Sequence, residues 1–258
     1  MEPRRGWVTV DGRRLETAWW GPGPEGAPSL VLLHEGLGCI SLWRDFPARL
    51  VEKTGRGVFA WSRAGYGQSA ARPLPWPASY MHEEAARCVA PVLEAAGVRD
   101  CVLVGHSDGA SIAAIYAGTH DDARVKGLVL LAPHFMVEPE CLAGIAAARE
   151  RFGQGDLRAR LARHHADVDV AFYGWNDAWG SAAFRDWDIT AEAARISVPV
   201  MVVQGLADPY GTVAQVHAAG YRAQGVMLEG VGHSPHLEAP GVVLDDITAF
   251  CNRLAKAA

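Results

Sequence analysis

The chain has 258 residues, half of them apolar, and its 24 Lys and Arg against 29 Asp and Glu give a net charge of −5. This length and composition allow one large buried core, so we expect a single core domain with at most an insertion. The mild negative charge and the lack of a basic stripe argue against a nucleic-acid partner.

Charged residues, Gly or Pro interrupt every apolar run before the roughly 20 residues that span a bilayer. Residues 1–7 contain two arginines with no apolar segment after them, which does not fit a secretory signal. The five cysteines are scattered and lack a C-x-x-C spacing, so neither a disulfide framework nor a zinc site is indicated. We therefore expect a cytoplasmic protein that acts on a small molecule without a membrane partner, and the sequence leaves its oligomeric state open.

The predicted strands begin with an antiparallel pair. Residues 6–10 and 13–20 alternate around the Asp11-Gly12 dipeptide, a strong hairpin signal. Continuous apolar runs follow, each ending in a loop of Gly, Ser, Ala or His, as is typical of strands buried on both faces of a parallel sheet. They cover residues 30–33, 58–61, 101–104, 128–131 and 200–203. Their alternation with helical patterns predicts an α/β fold.

Helical periodicity predicts helices at 83–96 and 111–117, which end at Gly97 and Gly118 as C-caps. Between two of the strands, helix-like stretches at 142–152 and 157–165 precede an aromatic-rich piece at 172–179. We expect residues 136–196 to form a helical cap over the sheet's C-terminal edge, inserted into a core of residues 1–135 and 197–258.

A candidate nucleophile follows the run at 101–104, in the motif Gly105-His106-Ser107-Asp108-Gly109. A G-x-S-x-G sequence between a buried strand and a helix predicts a nucleophile elbow, a strained turn that exposes the serine while glycines leave room for neighbouring backbone. A serine hydroxyl needs a base within hydrogen-bond reach and a carboxylate that orients the base. Asp208 follows the run at 200–203 and His233 follows the run at 226–228, in the order serine, acid, histidine that suits this fold.

These motifs resemble those of the α/β-hydrolase family over nearly the whole chain. Besides the elbow, the matches are the G-x-x-D acid loop at 205–208, the G-H-x-x-x-x-E-x-P loop at 232–240, and a turn at 62–69 similar to the family's R-G-x-G-x-S. The resemblance implies a mostly parallel twisted sheet with helices on both faces, and a catalytic triad of Ser107, Asp208 and His233.

The predicted oxyanion hole departs from the family pattern. Members carry His-Gly-x after the first buried strand, whereas this chain has His34-Glu35-Gly36-Leu37. The first backbone donor is Gly36 if the motifs align without a gap and Leu37 if they shift by one residue. The second donor is the N–H of Asp108, after the nucleophile. Removing one such donor in other hydrolases costs about 3 kcal/mol of transition-state stabilisation.

Two hypotheses apply to Glu35. Its carboxylate either faces the pocket, where it selects a polar or cationic substrate group or positions water, or simply binds loop backbone N–H groups. The predicted substrate pocket consists of Glu35, Leu37, His134, Trp175 and Trp179, with mainly apolar walls. His164 and His165 are expected on a helix surface, since two histidines without a third ligand do not indicate a metal.

The sequence therefore predicts a serine hydrolase of the carboxylesterase type, EC 3.1.1, that cleaves an ester, lactone or thioester through an acyl-enzyme. This mechanism needs no metal or organic cofactor. Alternatives with the same triad are a carbon–carbon bond hydrolase and a cofactor-free perhydrolase or haloperoxidase, which fold analogy does not separate. A third alternative is a small-molecule receptor that turns over slowly.

Overall fold

The computed structural model describes residues 1–25, 27–220 and 223–257, which build one eight-stranded sheet. The strand order is β1-β2-β4-β3-β5-β6-β7-β8. β1 and β2 pair antiparallel, β2 pairs antiparallel with β4, and the remaining pairs are parallel. The strands are β1 Arg4–Val10, β2 Arg13–Trp20, β3 Ser29–Leu33, β4 Val58–Trp61, β5 Cys101–His106, β6 Val125–Leu131, β7 Val200–Gly205 and β8 Gln224–Leu228.

Helices cover both faces of the sheet. They are α1 Phe46–Thr54, α2 Tyr80–Glu84, α3 Ala90–Ala95, α4 Asp108–Thr119, α5 Pro139–Gln154, α6 Leu157–Leu161, α7 Val168–Gly180, α8 Thr190–Ala193, α9 Ala214–Ala218, α10 Pro235–Glu238 and α11 Pro240–Ala257. Leu30 and Leu32 point into a core shared with α1 and α11, whereas Val31 and Leu33 point into a core shared with α2, α3 and α4. This alternation, together with the parallel order, confirms the predicted fold class.

The first hairpin turns at Asp11 and Gly12, whose φ angles are 54° and 71°. Two successive positive φ values suit the two-residue hairpin turns that match strand twist. The turn puts β1 at the sheet's antiparallel edge, away from the carboxyl ends of β3, β5, β7 and β8 that carry the candidate site.

Two helix predictions are wrong in detail. Gly118 is not a C-cap, because α4 continues to Thr119 and His120 is the C-cap. A glycine is needed there for another reason: an added Cβ would lie 2.7 Å from the backbone carbonyl carbon of Glu192. The helix predicted at 83–96 begins at Tyr80 and contains a π-helical turn, Ala85–Val89, before α3. Gly97 does adopt the positive φ, 69°, expected after a helix.

The segment between β6 and β7 contains α5, α6, α7 and α8. α5 packs on α7, and an isolated β-bridge joins Met136 to Asp188 near the two ends of the segment. The division into a core and a cap at residues 136–196 stays a prediction. Among the described residues, no helix is long and apolar enough to cross a membrane.

Candidate active site

Ser107 lies in a strained turn between β5 and α4. Its φ of 52° and ψ of −119° are rarely adopted by a residue with a side chain. A Cβ on Gly109 would overlap the backbone of Leu33 in the neighbouring strand, and one on Gly105 would lie 2.5 Å from the amide nitrogen of Ala110. Glycines therefore flank Ser107 because the helix starts in direct contact with the sheet.

Ser107, His233 and Asp208 form one hydrogen-bonded chain. Ser107 Oγ lies 2.9 Å from His233 Nε2, and His233 Nδ1 lies 2.8 Å from Asp208 Oδ2. A carboxylate only accepts hydrogen bonds, so Nδ1 carries the proton and Nε2 is left to accept the serine hydroxyl. The structure thus brings together the three side chains proposed from the sequence, in the geometry a serine nucleophile requires.

The carboxylate of Asp208 is fixed from several sides. Its Oδ1 accepts the Tyr210 N–H at 2.8 Å and its Oδ2 accepts Gln204 Nε2 at 2.9 Å, in addition to His233. Burial alone would raise the pKa of Asp208, but the hydrogen bond and charge of His233 hold it below its ordinary value. Asp208 is therefore ionised at neutral pH and able to orient the imidazole.

The loop that carries His233 is fixed by a second carboxylate. Glu238, at the end of α10, accepts the Gly232 N–H at 2.7 Å and the Ser234 N–H at 2.9 Å. These two amides flank the histidine directly. The glutamate of the G-H-x-x-x-x-E-x-P motif thus fixes the backbone on both sides of His233.

The residues predicted to supply oxyanion donors line the cavity beside Ser107. Asp108 is the first residue of α4, where amides have no intrahelical partner and the helix dipole favours a negative charge. Gly36 lines the same cavity, and the indole of Trp175 packs so closely on it that an added Cβ would lie 3.0 Å from Cε2. Whether Gly36 or Leu37 supplies the other oxyanion donor stays a prediction.

The loop at residues 34–38 is held by Arg63, from the turn at residues 62–69. The guanidinium of Arg63 donates to the carbonyls of His34 and of Glu35, the latter at 3.0 Å. The N–H of Arg63 also donates to His34 Nε2 at 3.0 Å, while His34 Nδ1 donates to the Glu35 carbonyl at 2.7 Å. With one ring nitrogen accepting and one donating, His34 is neutral, and burial together with Arg63 lowers its pKa well below the ordinary value.

His165 supports the same loop, and its predicted surface position is wrong. It is buried, it accepts the Gly67 N–H on Nδ1 at 2.9 Å, and it donates from Nε2 to the Leu37 carbonyl at 3.0 Å. Its neighbour His164 accepts or donates at Ser41 Oγ, 2.8 Å away. His165 therefore connects the segment after α6 to the loop that carries both candidate donors.

Beside Ser107 lies a cavity of about 160 Å³. All five predicted pocket residues line it, and sequence reasoning missed the contributions of Cys141 and Ile145 from α5 and of Tyr210. Cys141 and Ile145 are four residues apart, which places them on one helix face and could have identified them. The full wall is Glu35, Gly36, Leu37, His106, Ser107, Asp108, His134, Cys141, Ile145, Trp175, Trp179, Tyr210, His233 and Ser234.

His134 contributes a neutral imidazole to this wall. Burial, followed by the charge of His233, lowers the pKa of His134 to about 4. Its Nε2 donates to the Tyr210 carbonyl at 3.1 Å, and its Nδ1 has no hydrogen-bond partner among the described residues. The ring also packs edge-on against Trp179 at 5.1 Å between centroids.

The side chain of Asp108 is fully buried next to its own candidate oxyanion N–H. Its carboxylate accepts the hydroxyl of Tyr80 and, at 3.3 Å, Nε1 of Trp179. Burial raises the pKa of Asp108, and the nearby charge of Arg63 is the largest effect opposing that rise.

The Glu35 side chain contacts the imidazole of His106 at the edge of the cavity. Its Oε2 lies 3.3 Å from His106 Nδ1, and the side chain is 26% exposed where it lines the cavity. Burial would raise the pKa of Glu35, but the hydrogen bond and charge of His106 bring it well below the ordinary range. The backbone N–H of Glu35 itself also contributes to lowering this pKa. Both hypotheses for the carboxylate, substrate selection and binding of loop backbone N–H groups, stay predictions.

No group of three His, Cys, Asp or Glu side chains in the described part of the chain has the arrangement of a metal site. The polar groups around Ser107 instead form the hydrogen bonds to one another that are described above.

Comparison with known proteins identifies relatives across nearly the whole chain. Residues 30–246 match the alpha/beta hydrolase family. A non-heme chloroperoxidase of Streptomyces lividans is 30% identical over an alignment of 280 positions, covering 94% of this chain and 98% of the relative. A bifunctional esterase/perhydrolase of Acinetobacter calcoaceticus is 29% identical over 231 positions, covering 78% and 81%. The structure of an enol-lactonase from Burkholderia xenovorans has the same fold, with a TM-score of 0.73, 21% identity and coverage of 96% and 100%.

Proposed function

The chain belongs to the alpha/beta hydrolase family and is a hydrolase, and from this premise we propose that it cleaves a carboxylic ester, lactone or thioester with Ser107 as nucleophile. The observation that carries the proposal is the hydrogen-bonded chain from Ser107 Oγ through His233 to Asp208, at distances of 2.9 and 2.8 Å. The strained backbone of Ser107 adds support, because such strain is typical of functional turns.

In the proposed mechanism, His233 Nε2 takes the hydroxyl proton of Ser107 as Oγ attacks the carbonyl carbon. Asp208 stabilises the imidazolium that forms, and the N–H of Asp108, with that of Gly36 or Leu37, donates to the oxyanion. The imidazolium then protonates the leaving oxygen or sulfur, which departs and leaves an acyl group on Oγ. Water, deprotonated by His233, hydrolyses this acyl-enzyme.

The cavity supports a small and largely apolar acyl or alcohol group. Its wall includes the apolar side chains of Leu37, Ile145, Trp175 and Trp179, and its volume of about 160 Å³ is below the range of drug-sized sites. We expect short acyl chains to be hydrolysed faster than long ones. Trp175→Ala, which removes the indole over Gly36, should move the optimum towards longer chains.

The test is a series of para-nitrophenyl esters from acetate to decanoate, assayed with the wild type and Ser107→Ala, together with a fluorophosphonate probe and mass spectrometry. We expect an adduct on Ser107 and turnover in the wild type that Ser107→Ala lacks. An adduct without turnover of any ester would reject the esterase and favour carbon–carbon substrates or a slow receptor. No adduct on Ser107 would reject the nucleophile itself.

Perhydrolysis is a second candidate, favoured by the names of the chloroperoxidase and esterase/perhydrolase relatives. Hydrogen peroxide would replace water in the second step, attack the acyl group on Ser107 and release a peracid, with His233 taking the peroxide proton. Peracid formation from acetate ester and peroxide, detected by bromide oxidation, should depend on Ser107. Unchanged bromide oxidation in Ser107→Ala would exclude this route.

A further inference from the structure

Both ring nitrogens of His106, the last residue of β5, lie within hydrogen-bond distance of an oxygen atom. Nε2 lies 2.7 Å from the carbonyl oxygen of His233, and Nδ1 lies 3.3 Å from Oε2 of Glu35. A carbonyl oxygen and a carboxylate can only accept, so both nitrogens must carry hydrogen, which is true only of the imidazolium. Because the pKa of Glu35 is well below its ordinary range, Glu35 is a carboxylate, and Glu35 and His106 form an ion pair.

This pair connects two loops that carry the candidate machinery. Glu35 directly precedes Gly36 in the loop after β3, and the carbonyl bonded by His106 belongs to His233 in the loop after β8. His106 is 2% exposed, so its contacts are shielded from water. Gly38 leaves the space for the carboxylate, since a Cβ there would lie 2.9 Å from Glu35 Oε1.

The pair also balances charge beside the predicted oxyanion. Two buried or half-buried carboxylates, Glu35 and Asp108, adjoin the candidate donors, and an unpaired anion at either position would oppose the negative charge that develops on the substrate oxygen. Asp108 lies in the field of buried Arg63, and Glu35 contacts His106. Glu35 thus has a buried cation in direct contact, whereas Asp108 has Arg63 nearby without a contact.

We propose that the Glu35–His106 ion pair positions the catalytic histidine by holding the His233 loop against the oxyanion loop, and that His106 neutralises Glu35 there. The inference rests on the proposed function of Ser107 and His233. Glu35 and His106 are positioning residues: they act through the backbone of His233 and through the local charge, not by taking the substrate's proton.

The variants Glu35→Gln, His106→Gln and their combination distinguish the positioning of His233 from the neutralisation of the Glu35 charge. His106→Gln leaves the Glu35 carboxylate without its cation, and a misplaced base can cost about 100-fold in rate. We expect kcat to fall roughly 100-fold in His106→Gln and roughly 10-fold in Glu35→Gln, with KM changed less than about two-fold. The double variant should be faster than His106→Gln, because removing the carboxylate removes the unpaired charge.

The pH profile supplies a readout that a purely structural role would not move. Burial lowers the pKa of His106, but the hydrogen bond and charge of Glu35 outweigh this and raise the pKa above its ordinary value. The other groups that face His106 are His236, His233 and the charge of Asp208, and burial keeps His236 neutral. Wild-type kcat should therefore fall on the alkaline side as His106 loses its proton, and Glu35→Gln should move that fall to lower pH.

A matched control removes another Glu–His contact away from the cavity. His82 Nε2 lies 3.5 Å from Glu192 Oε1, and neither residue lines the cavity. Glu192→Gln should leave kcat and the alkaline fall of the pH profile of kcat unchanged. Thermal unfolding of every variant checks that loss of activity is not loss of fold.

The rate of Ser107 labelling by the fluorophosphonate distinguishes this inference from the proposed ester hydrolysis. Labelling needs the same base but no ester, so His106→Gln should label roughly 100-fold more slowly even if no ester is turned over. Equal labelling rates and an unchanged alkaline limb in folded His106→Gln and Glu35→Gln would overturn the positioning role. If the variants lose activity only towards esters that carry a cationic or hydroxyl group, the positioning role is overturned in favour of substrate selection by Glu35.

Discussion

Gly118 provides a quantitative test of how α4, the helix that begins after Ser107, is seated. It is the penultimate residue of α4, and a Cβ there would lie 2.7 Å from the carbonyl carbon of Glu192 and closer still to its oxygen. Carbon normally approaches a carbonyl oxygen to about 3.3 Å, so Gly118→Ala must separate α4 from α8. Such overpacking costs about 1–3 kcal/mol, against a gain of at most about 1 kcal/mol in helix propensity.

We therefore expect Gly118→Ala to lower the free energy of unfolding by about 2 kcal/mol, or Tm by about 4–8 °C for a domain of this size. Gly153 is the matched control, because it is the penultimate residue of α5 and a Cβ there meets nothing within 4 Å. Gly153→Ala should be neutral or stabilising by up to about 1 kcal/mol. Urea unfolding and calorimetry measure both variants.

Gly118→Asn distinguishes crowding from the C-cap predicted by the sequence. Asparagine tolerates the left-handed conformation of a C-cap but needs more space than alanine. Crowding predicts that Asn is worse than Ala at this position. If Asn instead restores stability relative to Ala, the close approach to Glu192 is not the reason for the glycine.

Three further predictions concern buried polar contacts. Asp208→Asn should destabilise the protein at pH 7, and its difference from the wild type in urea unfolding should shrink below about pH 4, because the lowered pKa of Asp208 gives stability that is lost as the carboxylate is protonated. His165→Ala should lower the free energy of unfolding by about 1–3 kcal/mol, since the Leu37 carbonyl and the Gly67 N–H lose their buried partner; a change below about 0.5 kcal/mol in urea would contradict this. Trp179→Phe should cost a similar amount, because it removes the indole N–H that donates to the Tyr80 hydroxyl at 2.9 Å and to Asp108 at 3.3 Å, and an unchanged Tm would contradict it.

Local patterns predicted the parts of the site that depend on neighbours in the chain. The elbow around Ser107 was found because its glycines, strand and helix are contiguous, and the loops of Asp208 and His233 were found because each follows an apolar strand. Parallel strands end at the same sheet edge, which is sufficient to bring these loops together. Trp175 and Trp179 of α7 were predicted to line the pocket from their aromatic character alone.

Contacts between distant segments were not predictable in the same way. His165 follows a short helix with an unremarkable surface pattern, and its burial depends on Gly67 and Leu37, about 100 and 130 residues earlier. The Glu35–His106 pair had a usable signal: β3 and β5 are neighbours, Leu33 is paired with Gly105, and both residues come just after that pair. A single sequence does not show which strands are neighbours, so the Glu35–His106 contact could be identified only from the strand order of the sheet.

The hydrogen bonds of the buried histidines favour His233 over the others as the general base. A base must have one ring nitrogen free to exchange a proton with the nucleophile while the other is fixed. Three histidines around the site have both ring nitrogens bonded to backbone or carboxylate atoms; these are His34, His106 and His165. A fourth, His236, has a pKa well below the ordinary value and has no hydrogen bond to Ser107. His134 faces the cavity, but its Nε2 is bonded to a carbonyl and its pKa is about 4, which makes it a poor proton acceptor at neutral pH. Only His233 meets both conditions among the described residues, with Nδ1 on Asp208 and Nε2 on Ser107.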